Sequence, residues 1–125
     1  MDITPLLLKG RQIIQSYGDG GFRISGTRHE GSILLFPSEV LAWPVVAAPE
    51  LSLESLAAVS QAEDAVEILL IGIGPKIVAV APELRRYFRD KGTALEVMDT
   101  GAACRTYNVL LAEDRRVAAA LIAVG

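Results

Sequence analysis

Val97-Met98-Asp99-Thr100-Gly101-Ala102-Ala103-Cys104-Arg105-Thr106-Tyr107-Asn108-Val109-Leu110-Leu111 is the stretch on which the fold turns, because a short apolar run meets a polar pair there and then becomes helical. Ala94-Leu95-Glu96-Val97-Met98 reads as a strand. Asp99 or Thr100 then supplies the side-chain oxygen that caps the free N–H groups of the helix that follows. On a helical wheel Ala103, Tyr107, Leu110 and Leu111 share one face, Cys104 and Asn108 stand at its border, and Arg105 falls well outside it. A strand, a cap and a helix in this order leave a small polar notch at the strand's C-terminal edge, where open α/β sheets commonly bind ligands.

Outward from this stretch, Val66-Glu67-Ile68-Leu69-Leu70-Ile71 is an apolar run too short for a typical helix and bounded by glycine, which predicts an interior strand covered on both faces. Lys76-Ile77-Val78-Ala79-Val80 reads as a short strand or a loop segment. Pro82 at the first helical position opens a helix completed by Arg85 to Lys91, with Gly92 as the residue that ends it. On the other side, Ala112 to Arg116 is a charged turn. Val117 to Val124 is predicted as a strand that returns the chain, although its alanines would also suit a helix. The strand at Ala94–Met98 is expected at the centre of the sheet.

The first half reads as an antiparallel meander. Ile13 to Tyr17 is extended and runs into a turn at Gly18-Asp19-Gly20-Gly21. Phe22-Arg23-Ile24-Ser25 alternates as a half-buried strand, Gly26 to Gly31 turns the chain, and Ser32 to Phe36 is a second strand. Val40 to Val45 is a third, with Pro44 marking an edge or an end. Ser52 caps a helix lasting to about Gln61, with Leu53, Leu56, Ala57 and Ser60 along one side. Strands first, then strands alternating with helices, predict an α/β single domain: a mixed central β-sheet packed by helices, with an additional antiparallel β layer from the N-terminal half.

The run Glu96 to Ile122, EVMDTGAACRTYNVLLAEDRRVAAALI, together with Ile71-Gly72-Ile73-Gly74 and Tyr17-Gly18-Asp19-Gly20-Gly21-Phe22, resembles a family of small uncharacterised domains. That family includes the mitochondrial NADH dehydrogenase (respiratory complex I) assembly factor 3 and an adipogenesis-associated relative. The resemblance spans nearly the whole chain. It implies a mixed sheet with helices and a protein partner, with respiratory-complex subunits as candidates; it implies no reaction. Ile73 departs from the Gly-Thr-Gly turn of many members, so the hydroxyl found there elsewhere is missing.

With 125 residues and 51% hydrophobic content the chain can bury one core, which predicts one domain over residues 1–125. A net charge of -3 and a pI near 5.1 argue against nonspecific binding to nucleic acid or anionic lipid. The only dense basic group is Arg85, Arg86, Arg89 and Lys91, interspersed with Glu83 and Asp90. It reads either as a solvated helical face or as a docking patch for an acidic partner. A single cysteine excludes an intramolecular disulfide and fits a reducing compartment. Mean hydropathy is +0.38, yet charges or prolines interrupt every apolar run before the roughly 20 residues that a spanning helix needs. The chain is therefore expected not to be an integral membrane protein. Its hydrophobicity goes into a core or a subunit interface, which is compatible with a homo-oligomer. Met1-Asp2-Ile3-Thr4-Pro5 begins with an acid rather than a basic region, so a cytoplasmic protein without a targeting leader is expected.

Several constellations bear on chemistry. Asp99-Thr100-Gly101 reproduces the triplet of aspartic peptidases, but there two carboxylates share a proton in an all-β fold, whereas here the triplet opens an Ala-rich helix. Gly72-Ile73-Gly74 lacks the third glycine, at position 77, that a dinucleotide fingerprint needs, and Gly74-Pro75-Lys76 is not a phosphate loop. Cys104 lies one turn into a helix beside Arg105, a setting that lowers a thiol pKa, although buried cysteine is more often a small hydrophobe. One Cys and one His, His29, give no metal-ligand spacing, and no cofactor is expected. Arg115 and Arg116 are placed to pair with Glu113, Asp114 or Asp99. The candidate pocket is lined by Asp99, Thr100, Cys104, Arg105 and Asn108, with Gly72 to Gly74, both glycines included, as its floor. Without a complete catalytic constellation, the chain reads as a noncatalytic binding or assembly module. The alternative is a small-ligand-binding protein or enzyme using the notch around Asp99, Cys104 and Asn108.

Overall fold

The computed structural model describes residues 11–62 and 65–125. The N-terminal residues on which the leader expectation rests lie outside them. Three strands, β1 (Ile14–Gly18), β2 (Gly21–Ile24) and β3 (Thr27–Glu30), form an antiparallel sheet in sequence order. Two-residue turns join them, and both central residues of each turn carry positive φ: Asp19 at 52° and Gly20 at 78°, Ser25 at 43° and Gly26 at 90°. This conformation matches the right-handed twist of the flanking strands, and Asp-Gly and Ser-Gly tolerate it. The turn expected over Gly26 to Gly31 is thus only Ser25-Gly26. Thr27 to Glu30 is free to pair with β2, although its polar residues carry no apolar alternation to announce a strand.

The larger sheet has the order β5-β4-β8-β6-β7, with β4 (Ile33–Phe36), β5 (Glu39–Ala42), β6 (Ile68–Gly72), β7 (Ala94–Met98) and β8 (Val117–Leu121). The pairs β5/β4 and β4/β8 are antiparallel; β8/β6 and β6/β7 are parallel. The sheet is therefore mixed, as predicted, and β6 is interior. Ala94–Met98 is an edge strand rather than a central one, because the connection after it passes back over β6 to place β8 in the middle. The strand expected to Val45 stops at Ala42. Pro44 has no N–H for a ladder, while Trp43 is buried and its indole donates to the Ser55 carbonyl at 2.7 Å.

Helix α2 (Pro82–Asp90) and helix α3 (Thr100–Ala112) lie on opposite faces of this sheet. Leu84 and Phe88 of α2 pack with Leu69, Ile71 and Leu95. On the other face Ala103, Tyr107 and Leu111 of α3 pack with Leu35, Leu70 and Ala119. The three-stranded sheet closes over the far side of α3 with Ile14, Phe22 and Ile24. A helix held between two sheets is apolar over a wider arc than one resting on a single sheet. That arc centres Cys104 and Asn108 in the buried face instead of at its border, and leaves Leu110 half-buried.

The helix expected from Ser52 to Gln61 is a 3₁₀ turn at Glu54–Leu56 followed by a single α turn, α1 (Ala57–Ser60). Leu53 and not Ser52 stands at the N-cap of the 3₁₀ turn, while the Ser52 Oγ accepts the Ser55 N–H at 3.0 Å just ahead of it. Leu53 is 43% exposed, and Leu56 with Val59 carries the burial instead. Lys76 to Val80 forms no strand and runs as a loop between β6 and α2.

Candidate functional site

β6 and β7 are adjacent parallel strands whose C-terminal connections leave to opposite faces, one to α2 and one to α3. This is a topological switch point, the place where open α/β sheets form a ligand crevice. Here the chain fills that crevice itself. The Asp99 carboxylate caps α3 by accepting the Ala102 N–H at 2.9 Å. Thr100 is fully buried; its Oγ1 accepts the Gly74 N–H at 3.0 Å and donates to the Ile122 carbonyl at 2.7 Å. Its own N–H donates to the Gly74 carbonyl at 2.8 Å, and the Ile73 N–H donates to the Met98 carbonyl at 2.9 Å. One hydroxyl therefore ties the ends of β6 and β8 to the first turn of α3.

Gly72 and Gly74 serve this junction in different ways. A Cβ on Gly72 would stand 3.0 Å from the Thr100 Cα and 3.2 Å from the Ala103 Cβ, so only glycine lets α3 approach β6 this closely. Gly74 has φ +115°, in the region that disfavours side chains.

The remaining predicted residues are not gathered at the notch. Asn108 is buried in α3, where its Oδ1 accepts the Ile14 N–H at 3.1 Å and its Nδ2 donates to the Ile14 carbonyl at 2.8 Å. It acts as the missing ladder partner of β1 next to an irregularity in the β1/β2 register between Ile14 and Ser16. Cys104 is fully buried in the core between the sheets. Arg105 is exposed and donates to the Tyr17 hydroxyl at 3.2 Å. Tyr17 was not expected here; the signal for it was Gly101, where a Cβ would stand 2.5 Å from the Tyr17 hydroxyl. Arg115 pairs with Glu67, at 3.1 Å, and Asp114 with Arg11; neither arginine of the Arg115-Arg116 pair reaches Asp99. The Arg115 guanidinium, through its hydrogen bond, holds the Glu67 carboxyl below its ordinary pKa. Among the described residues no three His, Cys, Asp or Glu side chains converge to hold a metal ion.

Burial outweighs the charge of Arg105 in setting the Cys104 thiol, pushing its pKa up to about 12. Burial also raises the Tyr107 hydroxyl. Both groups are neutral in the native state and ionise more readily once the chain unfolds. Stability from this source is complete below the ordinary thiol range, about pH 8.5, and is lost as pH rises toward the folded value. Two results are expected: an aromatic disulfide reagent at pH 8 labels Cys104 only in denaturant, and the urea midpoint falls above pH 9, less steeply in Cys104→Ala. Rapid labelling of the native protein would contradict this placement.

These features define a small α/β domain in which a helix is sandwiched between a mixed five-stranded sheet and an antiparallel three-stranded one. The chain belongs to the family described as Protein of unknown function (DUF498/DUF598), which matches residues 14–122. It is 38% identical over 109 residues to the Xenopus tropicalis protein named NADH dehydrogenase (ubiquinone) 1 alpha subcomplex assembly factor 3, a match covering 87% of this chain and 60% of that relative. The chain thus matches less than two thirds of the relative's length. A crystal structure described as an outer membrane protein from Bartonella henselae is 43% identical, with a TM-score of 0.85, and the match covers 93% of this chain and 98% of that one. A Bordetella parapertussis protein structure is 34% identical with a TM-score of 0.83, covering 95% and 99%. Among the described residues no helix is long and apolar enough to cross a membrane.

Proposed function

We propose that this chain is a noncatalytic module that binds a protein partner during assembly of a larger complex, in the cytoplasm, with respiratory complex I subunits as the partners. The observation that carries this reading is the filled switch point. Where an α/β enzyme opens a crevice, Thr100 spends its hydroxyl on Gly74 and Ile122. A ligand entering there would have to displace hydrogen bonds that join three elements. The assembly factors named among the relatives supply the class of partner.

Affinity purification of the tagged full chain from its own cells tests the reading. Recovery with respiratory-complex subunits, and a loss of NADH:quinone oxidoreductase activity in membranes of a deletion strain, is the expected result. Recovery of the chain alone, with membrane activity unchanged on deletion, would overturn it.

A further inference from the structure

Apolar side chains and unpaired backbone meet at the outer edge of β7 and the loop beside it. Ala94 donates its N–H to Glu67 and Met98 accepts from Ile73, so these residues turn their backbone groups toward β6. Alternation then turns Leu95 and Val97 outward. The Leu95 carbonyl is taken by the Arg85 guanidinium. The Leu95 N–H and both backbone groups of Val97 pair with no described residue. From Lys76 to Val80 no backbone group is hydrogen bonded to another described residue either. In that loop Ile77 is 68% exposed and Val78 48%. The two unpaired backbones line one crevice of about 390 Å³, formed by Ile77, Val78, Ala79, Val80, Arg85 and Val97.

We propose that an extended acidic segment of a protein partner adds to β7 as a further strand of the large sheet, a proposal that rests on the protein-docking reading above. Strand addition supplies the hydrogen bonds that Val97 lacks, and alternate side chains of the incoming segment enter the apolar crevice. Charge selects the partner. Arg86 and Arg89 on α2, and Lys76 in the loop, are exposed and make no ion pair among the described residues, so acidic side chains beside the new strand would be matched. A second copy fits poorly. Pairing two β7 edges about a two-fold axis would set α2 beside α2 on the same sheet face, arginines against arginines. An anionic lipid surface would match the charge and the apolar loop but would leave the edge's N–H and C=O groups without partners.

Photo-crosslinking and amide exchange on the full chain test this. A benzophenone side chain at Val78 is expected to join the partner recovered by affinity purification through an acidic segment. The same group at Val46, beyond the opposite edge strand, is expected not to. In the recovered complex the Val97 amide should exchange at least tenfold more slowly, and Val78→Asp, an exposed loop change, should reduce the recovered partner at least tenfold. A partner that crosslinks only from Val46, or that leaves Val97 exchange unchanged, would overturn the docking edge while leaving the assembly reading intact. Crosslinking of Val78 to a second copy overturns it as well. So does slowing of Val97 exchange by phosphatidylglycerol vesicles and not by the partner. Recovery of no partner at all removes both.

Discussion

Asn108→Leu is expected to lower the stability of the fold by about 2–4 kcal/mol, read as a lower urea midpoint at unchanged slope. The side chain volumes are similar, so the loss is not one of packing. Among the described residues the Asn108 side chain answers both the N–H and the carbonyl of Ile14, at a buried point of β1. Leucine leaves both without a partner, and each buried backbone group so orphaned costs about 1–3 kcal/mol. Asn108→Asp separates this account from a general loss of fit. Its carboxylate still accepts from the Ile14 N–H but faces the Ile14 carbonyl with no proton to offer. Folding therefore favours the protonated acid and raises its pKa, so the penalty is full above that value and shrinks as pH falls. The stability gap to the parent chain is expected to narrow between pH 8 and pH 5. A gap that stays constant, or a leucine variant within 0.5 kcal/mol of the parent, would show that β1 does not depend on Asn108.

Gly72→Val is the second large effect, an expected loss of about 2–4 kcal/mol with Gly72→Ala at about 1–3. The cause is close approach and not backbone conformation, since a Cβ here would press within 3.0 Å of both the Thr100 Cα and the Leu121 Cδ2. The leucine can turn aside. Thr100 cannot, because its hydroxyl and its N–H are both bonded across the junction. Moving α3 away to make room would stretch those bonds and open the packing of Ala103 at once. Thermal unfolding of the two variants checks the graded order, alanine before valine. Equal stability of all three chains would mean that the helix seat is adjustable.

The parts of this structure legible in the sequence are those set by neighbours in the chain. The strand ending at Met98, the Asp99 cap and the helix after it are such a case, because the cap bonds a residue three positions on. Pro82 and Gly92, which frame α2, are another. What escaped depends on partners far along the chain. β3 is a strand because β2 offers a ladder, and Thr27 to Glu30 carries no apolar signature of its own. Lys76 to Val80 has the β-branched composition of a strand but no described neighbour to pair with. The helical wheel sets Asn108 and Cys104 at the border of the buried face, and the structure sets both inside it, for one shared reason. A helical wheel shows how residues divide between faces but not that a second sheet, built from residues 70 or more positions earlier, covers the other side of α3. Gly72, Gly74, Asp99 and Thr100 meet at one junction, where the Thr100 hydroxyl holds the chain together.

The position of β8 governs how the molecule can be made. Every other strand precedes it in synthesis, yet it alone joins the β4/β5 hairpin to the β6/β7 pair. Until Val117 to Leu121 has emerged from the ribosome, the nascent chain holds two unfinished half-sheets, each showing a bare inner margin rich in leucine and isoleucine. Closure is then a single late insertion between two waiting halves, and that interval is when the polypeptide is most open to chaperones and to pairing with the wrong neighbour.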